Sequence, residues 1–426
     1  MKKNKILNPL TQIILFSFLI KVFASLYISD PRLINEWSYL LHNYNISNTL
    51  GFNVVTGEFN TLPLYAKAGD TVLPSVFMPP LYFYFILTLQ TISGEIGSSL
   101  ISGSLVAQNT ENLTKIIIFS QIILSSISIY FFYNILINFK NKKIKLFGCA
   151  IFAFFPVNIY ASTQISSITL QLFLIILFLY FMVKIFSKKN IQNLLFFSFI
   201  SALLILIRGE FVIFFFLTIV YIFVYYKLDV KPFLIVSLVT CIFISPHLIR
   251  NYIVFDQLIL TKSFGYNLLK GNYKQFKVEG NPAVIDEEFK IKNLGIKSDK
   301  YFEINLDNFY KEKAFKYIKN DPILFTENYF KKVLSFSFVN LDSSYPGYYN
   351  FFHIVPKIFI SILSLIGIFL LIKKKGFFQF ITLYYVFSIF FFSIFFILPR
   401  YNLIILPFQI FLSLYSAQFL QRKFFN

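Results

Sequence analysis

Long apolar runs separated by short lysine clusters dominate this chain, and no other feature limits its fold so severely. A hydrocarbon layer about 30 Å thick is crossed by about 20 apolar residues in a helix. Runs that reach or approach that length cover residues 9–29, 113–137, 164–186, 233–249, 354–372, 377–398 and 401–419. Shorter ones, at 76–92, 146–161, 193–207 and 211–226, are expected to be tilted, kinked or partly re-entrant. Of the 426 residues, 57% are hydrophobic and only 14% are charged, whereas about 25% charged is usual in soluble chains. A water-soluble fold of this length cannot hide so much apolar surface. The sequence therefore predicts an all-α polytopic membrane bundle of about 10–12 spans.

The net charge of +19 is topology rather than nucleic-acid binding, because the lysines punctuate the apolar runs. Lys2, Lys3 and Lys5 precede the first run, and Lys140, Lys142, Lys143 and Lys145 form a later cluster. Lys188-Lys189, Lys227, Lys231, Lys373-Lys374-Lys375 and Arg422-Lys423 repeat the pattern. Cytoplasmic loops carry this bias, which places 30–75 and 250–354 on the extracytoplasmic side. Three regions follow: a transmembrane module at 1–249 including the first outer loop 30–75, an extracytoplasmic insert at 250–354, and C-terminal spans at 355–426. The run from Pro9 to Tyr27 lacks a small-residue cleavage pattern and reads as a retained span. One conflict stands. Two crossings between the outer loop 30–75 and the inner cluster 140–145 give the wrong parity, so either 76–92 does not fully cross or 93–112 hides a crossing. Within the insert, Leu306-Asp307-Asn308 reads as the capped start of an amphipathic helix, and Asp321-Pro322 ends it and opens another suited to the membrane interface. The fold expected is a bundle with its working loops on one face of a plasma membrane, the inner membrane in a bacterium.

The arginines carry the chemistry. Among 39 basic residues only five are arginine, and Arg32, Arg208, Arg250 and Arg400 all fall at outer ends of apolar runs, against the positive-inside tendency. A planar guanidinium binds phosphate bidentately and keeps its charge beside lipid. The plainer reading is four snorkelling side chains. Asp30, where the first run leaves the membrane, is a candidate general base, and Glu36 follows six residues later. Glu210 reads as an ion-pair partner of Arg208. His42, His247 and His353 show no metal-ligand spacing, Cys149 and Cys241 lie in separate apolar runs, and no glycine-rich phosphate loop appears. Intramembrane charge reduces to Lys21 and Lys184, near span ends.

The order of these features resembles the polytopic GT-C glycosyltransferases of the protein mannosyltransferase and aminoarabinose transferase type (family 39 and its bacterial relatives). Asp30 matches that family's acid in the first outer loop, and Phe77-Met78-Pro79-Pro80-Leu81-Tyr82 its Pro-Pro-Leu-Tyr lead-in to the second span. Gln121 and Pro156-Val157-Asn158-Ile159-Tyr160 match weaker patterns, and Leu206-Ile207-Arg208-Gly209-Glu210 is similar to its Thr-Arg-Pro turn. Pro246-His247-Leu248-Ile249-Arg250-Asn251-Tyr252 resembles Pro-Trp-x-x-Arg-Asn-Tyr, followed by Gly271-Asn272. Glu312–Ile318 with Asp321-Pro322 resembles the family's outer helix, and Arg400-Tyr401 with Pro407-Phe408 its last Arg-Tyr…Pro-Phe run. The chain departs from the pattern at His247, in place of Trp, at Ser166-Ser167, where relatives carry an acid, and in the displacement of Glu36 from Asp30. Those departures leave the second acid and any divalent metal open.

The resemblance implies an inverting transferase that moves a sugar from a polyprenyl-phosphate carrier to a hydroxyl on a glycan, lipid or protein acceptor. Asp30 and Glu36 would be catalytic; Arg32, Tyr82, Arg208, Arg250, Asn251, Tyr252, Arg400 and Tyr401 would bind substrate. Two rivals stand beside it: a lipid-linked oligosaccharide ligase or polymerase, and a non-catalytic polyprenyl-lipid flippase or transporter.

Overall fold

The computed structural model describes residues 8–28, 76–92 and 110–424, with short breaks at 189, 228, 275, 291–293, 298 and 346. The described residues are helical with connecting turns, and no strand occurs among them. In chain order the helices are α1 (Pro9–Tyr27), α2 (Leu81–Ile92), α3 (Thr110–Ile135), α4 (Lys142–Phe154) and α5 (Pro156–Ser162). Next come α6 (Ser167–Ser187), α7 (Ile191–Ile207), α8 (Phe211–Tyr225) and α9 (Val230–Phe255). The insert contributes α10 (Phe264–Asn272), α11 (Pro282–Glu288), α12 (Phe302–Asn320) and α13 (Pro322–Ser337). The chain then returns through α14 (Phe351–Leu371), α15 (Phe377–Phe392) and α16 (Asn402–Phe424).

Short polar residues start these helices. The side chains of Asn8, Asn141, Ser166, Asn190, Asp229, Asp321 and Asn350 each accept a hydrogen bond from a backbone N–H in the first turn that follows, satisfying donors a helix leaves open. Pro156 forbids the helical conformation at Phe155, so α4 and α5 meet at a 52° bend. Among the described residues six helical stretches are long and apolar enough to cross a membrane, seven if the bent pair is one span, and α7, α8 and α15 are shorter apolar helices. This is the all-α membrane bundle expected. Exposed apolar side chains ring it, Phe216, Ile242, Phe359 and Phe369 among them, and lipid rather than water is the solvent such a surface tolerates.

α6 and α16 are the most enclosed spans. α16 packs along α14 so closely that a Cβ on Gly367 would lie 2.6 Å from the Leu412 carbonyl oxygen; small residues allow such approaches where no hydrophobic effect drives helices together. α2, with 12 residues, rises only about 18 Å, and residues 93–109, which also bear on the parity conflict, lie outside the described residues.

Three local expectations need correction. α9 runs on through Arg250, Asn251 and Tyr252 to Phe255, so these residues close a span rather than open the insert. α12 begins at Phe302, and Asp307 is no cap: its carboxylate accepts from the Tyr266 backbone N–H at 3.1 Å, holding α10 to α12. Burial pushes that carboxyl above its ordinary value, partly offset by the bonds from the 265–266 backbone. Intramembrane charge also includes Lys357 of α14. Lys357 and Lys21 are fully buried, donating to Gln409 Oε1 and Ser125 Oγ respectively, each at 2.7 Å.

Candidate functional site

α7 ends at Ile207, and Arg208 follows in extended backbone before the two-residue turn to α8. That geometry aims the guanidinium at the insert-bearing end of the bundle, where it lines a cavity of about 310 Å³. The volume is at the small end of the range for ligand sites. Glu210, Thr261, Ser263 and Asn267 supply further polar atoms, while Phe264 and Phe391, Phe392, Phe395 and Phe396 make an apolar wall. Glu210 stands 3.8 Å from Arg208.

Tyr401 lines the same cavity. The guanidinium of Arg208 lies 5.3 Å from the centre of its ring, and that of Arg400 lies 5.8 Å from it. Arg400, in the 3₁₀ turn Pro399–Tyr401, is buried, does not itself line the cavity, and donates to the Tyr345 hydroxyl at 3.2 Å. Two of the arginines singled out by sequence thus meet on one aromatic ring. Cations held over a ring face in a dry site are stabilised by up to about 2 kcal/mol.

The aromatic wall is braced from behind by the insert. Gly271, at the end of α10, approaches Phe395 so closely that a Cβ there would lie 2.5 Å from its carbonyl carbon. Asn272 Nδ2 donates to the Ile394 carbonyl at 2.9 Å. Lys332 of α13, fully buried, donates to Gly271 O, Asn272 Oδ1 and Ile394 O at 2.9–3.3 Å. Burial pushes its amine down to about 7. Lys270 sits 4.0 Å over the Phe396 ring, adding another cation at the wall.

Arg250 belongs to an adjoining cluster and does not itself line the cavity. Its Nη1 donates to Asn251 Oδ1 at 2.7 Å, the guanidinium lies over Phe255, and Tyr84 and Glu303 are its electrostatic neighbours. Asn251 donates to the Ile259 carbonyl at 2.7 Å, and His247 Nε2 lies 2.9 Å from the Leu260 carbonyl. These bonds hold the 259–260 segment, whose Leu260 lines the cavity. Glu303 accepts from Val76 and Phe77 backbone N–H groups at 2.6 and 2.9 Å, pinning the lead-in to α2 beside Arg250.

Tyr82 is buried, with its hydroxyl donating to Gln121 Oε1 at 3.1 Å, and Tyr252 is exposed on α9. Neither lines the cavity. Asp30, Arg32 and Glu36 lie outside the described residues, as does His42. Among the described residues no three or more His, Cys, Asp or Glu side chains converge as metal ligands would. Sequence reading missed Lys332, Lys270, Glu303 and Tyr345. The first two looked like two more lysines in a lysine-rich chain, and nothing local marks an acid or phenol whose partner lies far along the chain.

No protein-family model matches the chain, and no curated protein does at a significant level. Solved structures do align with it. Archaeal oligosaccharyltransferase AglB from Archaeoglobus fulgidus, in complex with an inhibitory peptide and a dolichol-phosphate, shares 12% identity at a TM-score of 0.43 over 90% of this chain. The apo form of the Archaeoglobus fulgidus oligosaccharyltransferase gives 11% identity and a TM-score of 0.43 over 91%. The form tethered to an acceptor peptide gives 11% and 0.42 over 91%. The chain matches about half the length of those proteins, 50–51%. The similarity is one of helical arrangement at low overlap, and the functional reading rests on the site instead.

Proposed function

We propose that this protein is an integral membrane glycosyltransferase of GT-C type that takes a sugar from a polyprenyl-phosphate carrier and passes it to a hydroxyl acceptor on the extracytoplasmic face. One observation carries the reading: Arg208 and Arg400 share Tyr401 at the edge of a phenylalanine-walled cavity. A lipid phosphate presents an anion and an isoprenoid tail together, and this cavity offers a guanidinium beside an apolar wall.

In the reaction, the acceptor hydroxyl gives its proton to a carboxylate as its oxygen attacks the anomeric carbon. The bond from that carbon to the carrier phosphate breaks, and configuration inverts. Charge gathers on the departing phosphate, where fixed cations lower the barrier most effectively. Arg208 and Arg400 fill that role, with Arg250 supporting the 259–260 segment. Asp30 is the proposed base, with Glu36 and Arg32 beside it in the first outer loop. Glu210 takes sugar hydroxyls.

The test is transfer of radiolabelled sugar from defined polyprenyl-phosphate donors by the protein in proteoliposomes. Wild type should transfer, Arg208→Ala should lose on the order of 10²-fold or more, and Asp30→Asn should be nearly inactive. Transfer that survives Arg208→Ala at the wild-type rate removes the reading. A transporter is favoured by one observation, the fully buried Lys21 and Lys357 within spans, since buried intramembrane charge marks transport paths.

A further inference from the structure

We infer that Glu279 is a positioning residue for the cationic site, acting through Tyr345 on Arg400; the inference rests on the carrier-phosphate reading above. Glu279 lies in the insert between α10 and α11 and is 8% exposed. Its Oε1 accepts from Asn340 Nδ2 at 3.1 Å and from the Ser343 hydroxyl. Its Oε2 accepts from the Ser344 backbone N–H at 3.2 Å and the Ser344 hydroxyl at 2.8 Å. Both carboxylate oxygens are thus committed to one short loop, 340–344, and the next residue is Tyr345, which takes the hydrogen bond from Arg400.

The other flank of Arg400 starts from the same place. Val278, the residue before Glu279, accepts from the Ile397 backbone N–H at 2.8 Å, three residues before Arg400. The pair 278–279 therefore grips both the strand of chain that carries Arg400 and the loop that supplies its phenol. A buried carboxylate is costly unless its hydrogen bonds are satisfied, and charge-assisted bonds are stronger and more demanding of geometry than neutral ones. In either orientation an amide would set its NH2 against a donor, the Ser344 N–H or Asn340 Nδ2, so glutamine cannot reproduce the whole clasp. Tyr348 and Tyr349 also hold the loop, donating or accepting at Asn340, Leu341 and Ser343, but neither ties it to the segment paired with 397. Glu279 alone among these contacts links the two flanks.

The experiment measures binding of undecaprenyl phosphate, with undecaprenol as the control lacking phosphate, to the full chain purified in detergent. Glu279→Ala, Tyr345→Phe and the double variant are compared with wild type, and hydrogen exchange is followed over 340–345. Glu279→Ala should weaken undecaprenyl phosphate about tenfold, leave undecaprenol unchanged and raise exchange in the loop. In the Tyr345→Phe background the same change should cost less than about twofold, because the two act along one path. Glu279→Gln, which keeps the side chain's size, should show the same effects at smaller amplitude and serves if the alanine variant folds poorly. Unchanged affinity, or an equal loss with Tyr345 already altered, overturns the inference while leaving the carrier-phosphate reading intact. A wild type that binds both lipids equally removes that reading and this inference with it.

Discussion

The guanidinium groups of Arg208 and Arg400 come from two different helix junctions and lie 5.3 and 5.8 Å from the centre of the same tyrosine ring, that of Tyr401. Like charges repel unless something between them compensates, and the π face does so. Tyr401→Phe should hold undecaprenyl phosphate within about twofold of wild type. Tyr401→Leu, which keeps an apolar filling but removes the ring, should weaken it by roughly tenfold, on the order of 1 kcal/mol. Equal effects from both substitutions mean that the hydroxyl, not the ring, matters.

Gly271 stands where no side chain fits, since a Cβ would meet Phe395 backbone atoms at 2.5–2.7 Å. Backbone cannot move aside as a flexible side chain can. Gly271→Ala should therefore destabilise the protein by about 1–3 kcal/mol, seen as a lower thermal midpoint in detergent. It should also weaken lipid-phosphate binding, because the displaced segment carries Phe395 and Phe396. A midpoint equal to wild type removes the bracing role of α10.

Lys332 predicts a pH dependence with a definite sign. Burial pushes its amine down to about 7 from an unfolded value of 10.5, so between those values the unfolded chain binds more protons than the folded one. Stability from this group is lowest below about pH 7 and rises towards pH 10. The stability of wild type relative to Lys332→Met should increase over that window. A difference flat with pH means that the amine stays charged among its three oxygen acceptors throughout.

The buried Lys357 separates the two functional readings. A transporter would use such a group, whereas a transferase working at the insert-bearing end needs it only for packing against Gln409. Lys357→Met is expected to leave undecaprenyl phosphate binding within about twofold, since Met fills a similar volume. A loss as large as that of Arg208→Ala moves the balance towards transport.

Sequence made the bundle legible because hydrocarbon imposes so simple a rule: apolar runs of span length, with short polar residues at helix starts. Arg208 and Arg400 stand out in the sequence because arginine is rare in a lysine-rich chain, and the structure brings both guanidinium groups to the Tyr401 ring, with Arg208 and Tyr401 lining the cavity. Arg250 was visible by the same signal but joins a neighbouring cluster, since whether two helix ends face one cavity is a matter of packing angles that no local pattern encodes. Lys357 was overlooked because it lies in a run otherwise apolar enough to mask one charge, and its burial depends on Gln409 from another span. Glu279 and Tyr345 are 66 residues apart by number and meet only through the loop between Asn340 and Ser344. Asp307 misled for the opposite reason: its local context is that of a helix cap, and a tertiary bond from Tyr266 took it instead.

The most direct test is the affinity of the purified protein for undecaprenyl phosphate against undecaprenol, in wild type and in Arg208→Ala and Arg400→Ala. Wild type should prefer the phosphate by at least about tenfold, a difference of about 1.4 kcal/mol, and each substitution should erase most of that preference without altering undecaprenol binding. Phosphate and alcohol binding equally to wild type, or a preference that survives both substitutions, contradicts the account.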